Sequence, residues 1–196
     1  MSEAPLQSDS LDARGDDELI ALCNARQADA AAAFDALYQR YRQWVANLAF
    51  RFTRDHDTAM DVTQEVFIYL LRKFPGFVLT ARLTTFLYPA VKNLSIASRH
   101  KTQRFSGSDD VLAATVEANT GDAAATETKA RADLAAVMEG LSQGHREVLL
   151  MRFVDDMSME EIAAALGIPT GTVKSRIHNA LAGLRQDERV KQFFEV

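Results

Sequence analysis

Apolar residues recur at intervals of three and four along most of this 196-residue sequence, which is the spacing of one face of a helix. Alternating apolar and polar runs, which would predict strands, do not occur. Glycine and proline, the residues that most often interrupt helices, number only nine and four. The sequence therefore predicts an all-α fold. The predicted helices span 17–27, 29–53, 56–73, 83–102, 127–141, 143–154, 158–166 and 170–186.

A polar segment at residues 105–126 interrupts the helical pattern. It is rich in Ser, Gly, Asp, Asn and Ala, and no amphipathic face can be drawn through it. We expect a flexible linker there, joining two small helical domains at 17–104 and 127–196. The acidic residues 1–16 are predicted to be disordered.

Charge is distributed unevenly along the chain. Residues 18–104 contain twelve Lys and Arg against seven acids, whereas residues 105–128 contain five acids and no Lys or Arg. The net charge is −5, and an acidic protein binds DNA poorly by itself because neutralised phosphates supply most of the non-specific affinity. Any binding of DNA is therefore expected to need help from a partner.

Several classes of protein are disfavoured by what the sequence lacks. No apolar run approaches the ~20 residues of a membrane span, and the acidic N-terminus is unlike a signal segment, so we expect a cytoplasmic protein without membrane insertion. The single cysteine, Cys23, excludes an internal disulfide and is predicted to be a buried core thiol. The four histidines are dispersed, and no acid–base pair or phosphate loop is recognisable. No catalytic residue, metal or cofactor is predicted.

The clearest local motif is a helix-turn-helix at residues 158–186. Ser158 and Glu161 have the spacing of a capping box, and Gly167 stands where a helix commonly ends. Pro169 and Thr170 then begin a second helix, with Thr170 as its expected N-cap. A short helix, a glycine turn and a second helix form the pattern that many DNA-binding proteins share.

The second helix of this motif separates into two faces. The predicted core face consists of Val173, Ile177, Ala180, Leu181 and Leu184. The opposite face carries Gly171, Thr172, Ser175, His178 and Asn179, with Lys174 and Arg176 on its rims. Short polar side chains flanked by cations suit a helix in the major groove, although a solvated surface helix has a polar face too.

The predicted helix 56–73 carries a possible protein interface. Its core face would contain Ala59, Val62, Val66, Tyr69 and Leu70. Its far side carries Asp61, Gln64, Glu65 and Arg72, with Ile68 among them and Leu71 beside them. A branched apolar residue within a charged face indicates contact with another protein, although one exposed Ile by itself is ordinary.

The predicted helix 83–102 is strongly basic. Five Lys and Arg lie between Arg82 and Arg104 without any acid, and aromatic residues are interleaved with them. Cations with aromatic rings suit single-stranded DNA, because rings stack on bases and cations follow the phosphates. Phe86 shares an arc with Leu83, Ala90, Leu94 and Ala97, so packing in the core is its expected role.

These segments, in this order, resemble the extracytoplasmic-function (ECF) sigma factors of the sigma-70 family, with their regions 2 and 4. The resemblance covers nearly all of residues 18–186. It rests on Phe34-Asp35-Ala36-Leu37-Tyr38-Gln39-Arg40-Tyr41, Asp61-Val62-Thr63-Gln64-Glu65-Val66-Phe67, Thr85-Phe86-Leu87-Tyr88 with Asn93, and Gly171-Thr172-Val173-Lys174-Ser175-Arg176.

The resemblance implies a non-enzymatic subunit of bacterial RNA polymerase that recognises promoters. Asp61, Gln64, Glu65 and Ile68 would bind core polymerase. Single-stranded −10 DNA would be held by Arg82, Lys92, Asn93 and Arg99, with the loop from Gly76 to Arg82 around a flipped base. Double-stranded −35 DNA would be bound by Thr170, Thr172, Lys174, Ser175, Arg176 and Asn179. An anti-sigma factor is a further expected partner.

The sequence departs from the family pattern around the −10 helix. Phe86 stands where the family usually has Trp, Ala97 where it often has Asp, and Pro89 lies within the helix. The loop Phe77-Val78-Leu79-Thr80-Ala81 is more apolar than usual. These departures affect the expected −10 base preference.

Two other kinds of protein remain as alternatives. A stand-alone helix-turn-helix regulator would account for the C-terminal half, but it would not account for the helical segment 61–68 or the basic segment 82–104. A purely structural helical protein would not need the polar face at 170–179.

Overall fold

The computed structural model describes residues 11, 13–106, 137–187 and 190, with only the backbone of 102–106. Within these ranges every regular element is helical, which confirms the all-α prediction. The chain divides into a first unit, Met1–Asp109, and a second unit, Asp110–Val196. The helices are α1 (Asp16–Ala25), α2 (Ala30–Thr53), α3 (His56–Leu71), α4 (Leu83–Ser106), α5 (Gln143–Phe153), α6 (Met159–Leu166) and α7 (Thr170–Gln186).

The first unit is built around α2, which packs against α1, α3 and α4, while α3 also packs against α4. The helices meet through branched aliphatic side chains that are almost wholly removed from water, and this burial is the main favourable term in folding. The most deeply buried of them are Leu19, Leu37, Val45, Leu48, Val62, Val66, Leu70, Leu83, Leu87 and Val91.

Side-chain hydrogen bonds and an ion pair are made at the first residues of two helices of the first unit, α3 and α1. The carboxylate of Asp55 accepts the backbone N–H of Thr58 at 2.8 Å and the Thr58 hydroxyl at 2.6 Å, so it caps α3. These two hydrogen bonds lower the pKa of Asp55. At the start of α1, Asp16 forms an ion pair of 2.5 Å with Arg40 of α2 and accepts a hydrogen bond from the Tyr41 hydroxyl.

Ordered structure in the first unit begins before residue 17. Leu11 is fully buried, Asp16 is the first residue of α1, and the carbonyl of Arg14 accepts a hydrogen bond of 2.8 Å from Arg40. The prediction of disorder over 1–16 is therefore wrong at these positions, because buried and ion-paired contacts fix them. Residues 1–10 and 12 lie outside the described residues.

Helix α4 is four residues longer than predicted, so Phe105 and Ser106 of the expected linker belong to it. The rest of the predicted linker lies outside the described residues. The same holds for the predicted helix 127–141 up to residue 136, whereas residues 137–139 are helical.

The second unit is formed by α5, α6 and α7, which pack against one another. Ser158 and Glu161 form the predicted capping box: the Ser158 hydroxyl accepts the Glu161 N–H at 3.1 Å, and the Glu161 carboxylate accepts the Ser158 N–H at 2.7 Å. Gly167 ends α6 in the left-handed conformation with φ of 64°. Helix, glycine turn and helix thus form the predicted helix-turn-helix. The core of the second unit includes Val148 and Met151 of α5, Met157 of the turn before α6, Ile162 of α6, and Val173, Ile177 and Ala180 of α7.

Candidate nucleic-acid and protein interfaces

One side of α3 is a solvent-exposed surface of mixed chemistry. Asp61, Gln64 and Glu65 are exposed as predicted, and Ile68 keeps 47% of its surface accessible. Met60 and Leu71, each 51% exposed, lie on the same side of the helix. We call this set the acidic–apolar face: Met60, Asp61, Gln64, Glu65, Ile68 and Leu71.

Met60 was missed in the sequence-based interpretation of this face. It precedes Gln64 by four residues and Ile68 by eight, so helical spacing alone would have placed it there. Three large apolar side chains exposed on one side of a helix, beside two carboxylates, indicate a surface for contact with another protein. The face therefore suits a protein partner better than solvent.

The prediction that Tyr69 belongs to the core face of α3 is wrong. It is 37% exposed, and its ring stacks on Phe86 of α4 with centroids 5.9 Å apart and planes 12° apart. The Lys73 ammonium lies 4.7 Å from the centre of the same ring. Phe67 is buried on α3 instead, and its ring makes an edge-on contact with the ring of Tyr38 in α2, with ring centroids 4.7 Å apart.

The buried face of α4 also differs from the predicted arc. Leu83 is buried as expected, but the face continues through Leu87, Val91 and Ser95, while Ala97 is exposed. The sequence analysis placed Ala90 and Ala97 on the core-facing arc because alanine is apolar. In the folded unit the larger Leu and Val side chains meet α2 and α3, and a small Ser hydroxyl is buried with them.

Phe86 is half-buried and serves as a packing residue. It lies between Tyr69 and Phe77, whose ring centroid is 4.7 Å away. Pro89 follows within the same helix, which nevertheless continues to Ser106.

Two cations of α4, Lys92 and Arg99, lie outside the buried face of the helix that carries Leu87 and Val91. Lys92 and Arg99 are half-buried and one heptad apart, Asn93 is exposed, and Ile96 lies between them with 37% of its surface accessible. The structure thus brings Lys92, Asn93 and Arg99 together on one surface, which we call the basic face.

Arg82 lies apart from the basic face, in the exposed loop that precedes α4. Its positive charge acts on Tyr41 of α2 and opposes the rise in the pKa of that phenol, which is caused first by burial and then by the hydrogen bond to Asp16. Of the four residues predicted to bind −10 DNA, three therefore share a helix face and Arg82 lies on the adjoining loop.

Helix α7 presents a polar face to solvent. Gly171, Lys174, Ser175, His178 and Asn179 are exposed, whereas Thr170, Thr172 and Arg176 are half-buried. Val173, Ile177 and Ala180 are buried as predicted, and Leu181 and Leu184 are half-buried. The exposed side chains are short in the centre and cationic at one rim, which suits the width and chemistry of a major groove.

Two details of α7 differ from expectation. Thr170 is the first residue of the helix and Pro169 is its N-cap, because the Pro169 carbonyl already accepts the N–H of Thr172 at 2.8 Å. Arg176 lies against the start of α5: a Cβ added to Gly144 would be 3.5 Å from its guanidinium Nη1. The Ser175 hydroxyl donates to the Thr172 carbonyl within the helix at 3.0 Å.

An exposed apolar pair ends α5 and was not predicted from the sequence. Phe153 and Val154 are 65% and 61% exposed, and the two acids after them begin the turn to α6. The adjacency of two large apolar residues and two acids was the available signal.

In the part of the chain that the structure describes, no group of three or more His, Cys, Asp or Glu could hold a metal ion. No helix there is long and apolar enough to cross a membrane.

Two family models match this chain. Sigma-70 region 2 matches residues 37–105, and Sigma-70, region 4 matches residues 137–186. The first model covers α3 and α4 with most of α2, and the second covers the helix-turn-helix unit. Both matches thus coincide with the units that carry the exposed faces.

Similar proteins include two curated relatives. The ECF RNA polymerase sigma factor SigL of Mycobacterium tuberculosis is 32% identical over 173 residues, which are 85% of this chain and 94% of that protein. The ECF RNA polymerase sigma factor SigW of Bacillus subtilis is 26% identical over 167 residues, or 80% and 89% of the two chains.

A solved structure with a similar fold is the sigma factor RpoE in complex with the anti-sigma factor NepR from Bartonella quintana. Its TM-score is 0.60 at 23% identity, covering 81% of this chain and 96% of that one.

Proposed function

Because this chain belongs to the ECF sigma factors of the sigma-70 family, we propose that it binds bacterial core RNA polymerase and directs it to a defined set of promoters. The acidic–apolar face of α3 carries this proposal, since a stand-alone DNA-binding regulator would not need it. In this role the protein lends specificity to the polymerase and catalyses no reaction of its own.

Core polymerase would bind at the acidic–apolar face, with Asp61, Gln64, Glu65 and Ile68 as its central contacts. Exposed Met60 and Leu71 extend the apolar part of this surface beyond the four residues that the sequence indicated. Apolar side chains would supply most of the affinity by being removed from water, and the carboxylates would select a basic partner surface.

Opened −10 DNA would lie along the basic face. Lys92 and Arg99 would follow the phosphates of the single strand, and the Asn93 amide, exposed between them, would hydrogen-bond a base edge. The loop from Gly76 to Arg82 would hold one base taken out of the stack. Stacking on Phe86 is not part of this scheme, because its ring is engaged by Tyr69 and Phe77.

Duplex −35 DNA would receive α7 in its major groove. Exposed Lys174, Ser175 and Asn179 would make the central contacts, with Thr170 and Thr172 at the N-terminal end of the helix. Arg176 would act from the rim, where its guanidinium lies over Gly144, and would bind a phosphate there.

The net charge of −5 fits a division of labour between the subunits. A protein with this charge gains little from counterion release on DNA, so polymerase would provide much of the affinity and the sigma factor would provide the base contacts. The functional domains would be residues 17–104 and 127–196, with 105–126 as the linker between them. A protein that acts on bacterial polymerase would work in the cytoplasm.

An anti-sigma factor is the expected regulator. The RpoE structure with a similar fold contains such a partner. By analogy, a partner that covers the acidic–apolar face would exclude core polymerase. Purification of the native protein from uninduced cells with polymerase alone would contradict this part of the proposal.

The test of the proposed function is transcription in vitro by core bacterial RNA polymerase on a genomic fragment library, with and without this protein. Discrete new start sites that share upstream elements at −35 and −10 are the expected result. Specific DNA binding without polymerase, combined with no new start sites in its presence, would favour the stand-alone regulator.

A further inference from the structure

The loop between α3 and α4 is held at its root by one side chain from α1. Asn24 Oδ1 accepts hydrogen bonds from the backbone N–H of Gly76 at 2.7 Å and of Phe77 at 3.1 Å. Its Nδ2 donates to the carbonyl of Phe77 at 2.8 Å. A carboxamide can donate and accept at once, so this single group bonds both backbone polar groups of Phe77 and one of Gly76.

Aromatic packing holds the same root from the other side. The Phe77 ring is buried between Phe74, with centroids 5.7 Å apart, and Phe86, at 4.7 Å. The next residue, Val78, is 74% exposed, and Thr80, Ala81 and Arg82 are exposed as well. The loop thus has a fixed root at residues 76–77 and an exposed tip at residues 78–82.

We propose that Asn24 is a positioning residue for promoter opening, which holds the loop tip in its DNA-binding shape before DNA arrives. The inference rests on the proposed function, in which this loop holds a base taken out of the −10 element. A loop that is ordered in advance loses less conformational freedom on binding, so more of the contact energy is left to hold the extruded base.

The neighbours of Asn24 suggest that its amide serves the loop more than the fold. Leu19, Ile20 and Cys23 are the buried residues of α1 and supply its packing, while Asn24 is half-buried. Its three hydrogen bonds connect positions 52 and 53 residues apart, and all of them end on the root of the loop. Removing the amide should therefore release the loop and leave α1 in place.

The experiment compares Asn24→Leu, which removes all three bonds and keeps the branching of the side chain, with Asn24→Asp, which keeps the two accepted bonds. Asn47→Leu is the matched control, because the Asn47 amide accepts a hydrogen bond from Gln43 within its own helix. Each holoenzyme is mixed with a promoter found by the transcription test, in which 2-aminopurine replaces each −10 base in turn. The fluorescence of 2-aminopurine reports extrusion of the base that it replaces.

Asn24→Leu is expected to lower the equilibrium constant for base capture about tenfold, equivalent to about 1.4 kcal/mol. Asn24→Asp should fall between Asn24→Leu and the wild type, and Asn47→Leu should match the wild type. Affinity for core polymerase should be the same for all four proteins. On a promoter with an abasic site at the captured position, Asn24→Leu and wild type should bind equally, because no base is there to be held.

Equal base capture by folded Asn24→Leu and wild type would overturn the proposal, as would an equal loss on intact and abasic promoters.

If Asn24→Leu does not fold, Gly76→Ala tests the same loop with Asn24 in place. Gly76 has φ of 101° and open space around an added Cβ, so alanine there introduces backbone strain alone and should reproduce the base-dependent loss. Wild-type capture by Gly76→Ala would count against the proposal. A wild-type holoenzyme that starts at no promoter would refute the proposed function instead.

Discussion

Buried hydroxyl groups of the first unit are of two kinds. Thr63 in α3 donates its hydroxyl to the Ala59 carbonyl at 2.7 Å. The hydroxyls of Thr84, Thr85 and Ser95 in α4 are equally buried but have no hydrogen-bond partner among the described residues. A buried polar group without a partner loses its hydration with no compensation.

Thr85→Val is therefore expected to raise the free energy of unfolding by about 1 kcal/mol, because valine has nearly the same shape and no polar group to dehydrate. Thr63→Val is the matched control and should lower it by about 1 kcal/mol, because it removes a bond that is made. Urea denaturation of both variants measures the difference. A loss of stability in Thr85→Val as large as that in Thr63→Val would show that the Thr85 hydroxyl is satisfied.

Single residues also show where sequence reasoning stops. Cys23 is buried as predicted, because its place in an apolar helical stretch decides its burial. The contacts of Asn24 with Gly76 and Phe77 join segments more than fifty residues apart, and no local pattern reveals such a pairing. The same holds for the stacking of Tyr69 in α3 on Phe86 in α4, which joins two different helices.

At the scale of helices, the two serine caps of the second unit differ in quality. Ser158 and Glu161 bond each other reciprocally at the start of α6, at 3.1 and 2.7 Å. Ser142 caps α5 through one hydrogen bond of 3.4 Å to the N–H of His145. A cap stabilises a helix by satisfying N–H groups that the helix itself leaves unpaired, so the shorter and reciprocal pair should contribute more.

Ser158→Ala is thus expected to destabilise the protein by about 1 kcal/mol, and Ser142→Ala by less. The measurement is thermal unfolding of each variant, followed by circular dichroism. If both substitutions have the same effect, the reciprocal bond from Glu161 adds nothing to the cap.

The exposed face of α3 gives a second prediction for a single helix. Ile68→Ala should weaken binding to core polymerase about tenfold without changing the melting temperature, because the side chain is 47% exposed in the free protein and would be buried in the complex. Ile96→Ala on α4 is the matched control, since Ile96 is 37% exposed on the basic face, and it should leave this affinity unchanged. Biolayer interferometry with immobilised core polymerase compares the variants.

Helix positions were easier to predict than helix faces. The starts of α6 and α7 follow from local signals, namely the capping box, Gly167 and Pro169, and the structure places them within one residue of the prediction. The buried face of α4 depends on how α2 and α3 pack against it. Apolar periodicity does not distinguish the small Ala97 from the larger Leu87 when it predicts which residues are buried. Only the larger side chain is buried.

At the scale of the whole molecule, the cations of the proposed DNA-binding surfaces contrast with the negative net charge of the chain. The net charge is −5, although the basic face of α4 and the exposed Lys174 of α7 carry cations where DNA is proposed to bind. Binding to DNA should therefore depend on these few cations and respond strongly to salt. The family resemblance, which is confirmed, already implied these surfaces from four short motifs.

Lys174→Ala is expected to weaken holoenzyme binding to all −35 sequences alike and to reduce the slope of log K against log salt by about 0.9, the value for one phosphate contact. Arg42→Ala, a cation of α2 outside the proposed interfaces, should leave the slope unchanged. Fluorescence anisotropy over a salt series gives both slopes. A change in sequence preference without a change in slope would assign Lys174 to base contact instead.

The burial of Cys23 has a practical consequence for studying this protein in motion. It is the single cysteine of the chain, and burial raises its pKa to about 11, so almost none of it is thiolate at neutral pH. Maleimide dyes should therefore not react with Cys23 in the native protein. One cysteine introduced into each unit would then carry a donor and an acceptor fluorophore, and the native thiol would not need to be removed. Single-molecule energy transfer could thus follow the distance between the two units, in the free protein and during promoter opening.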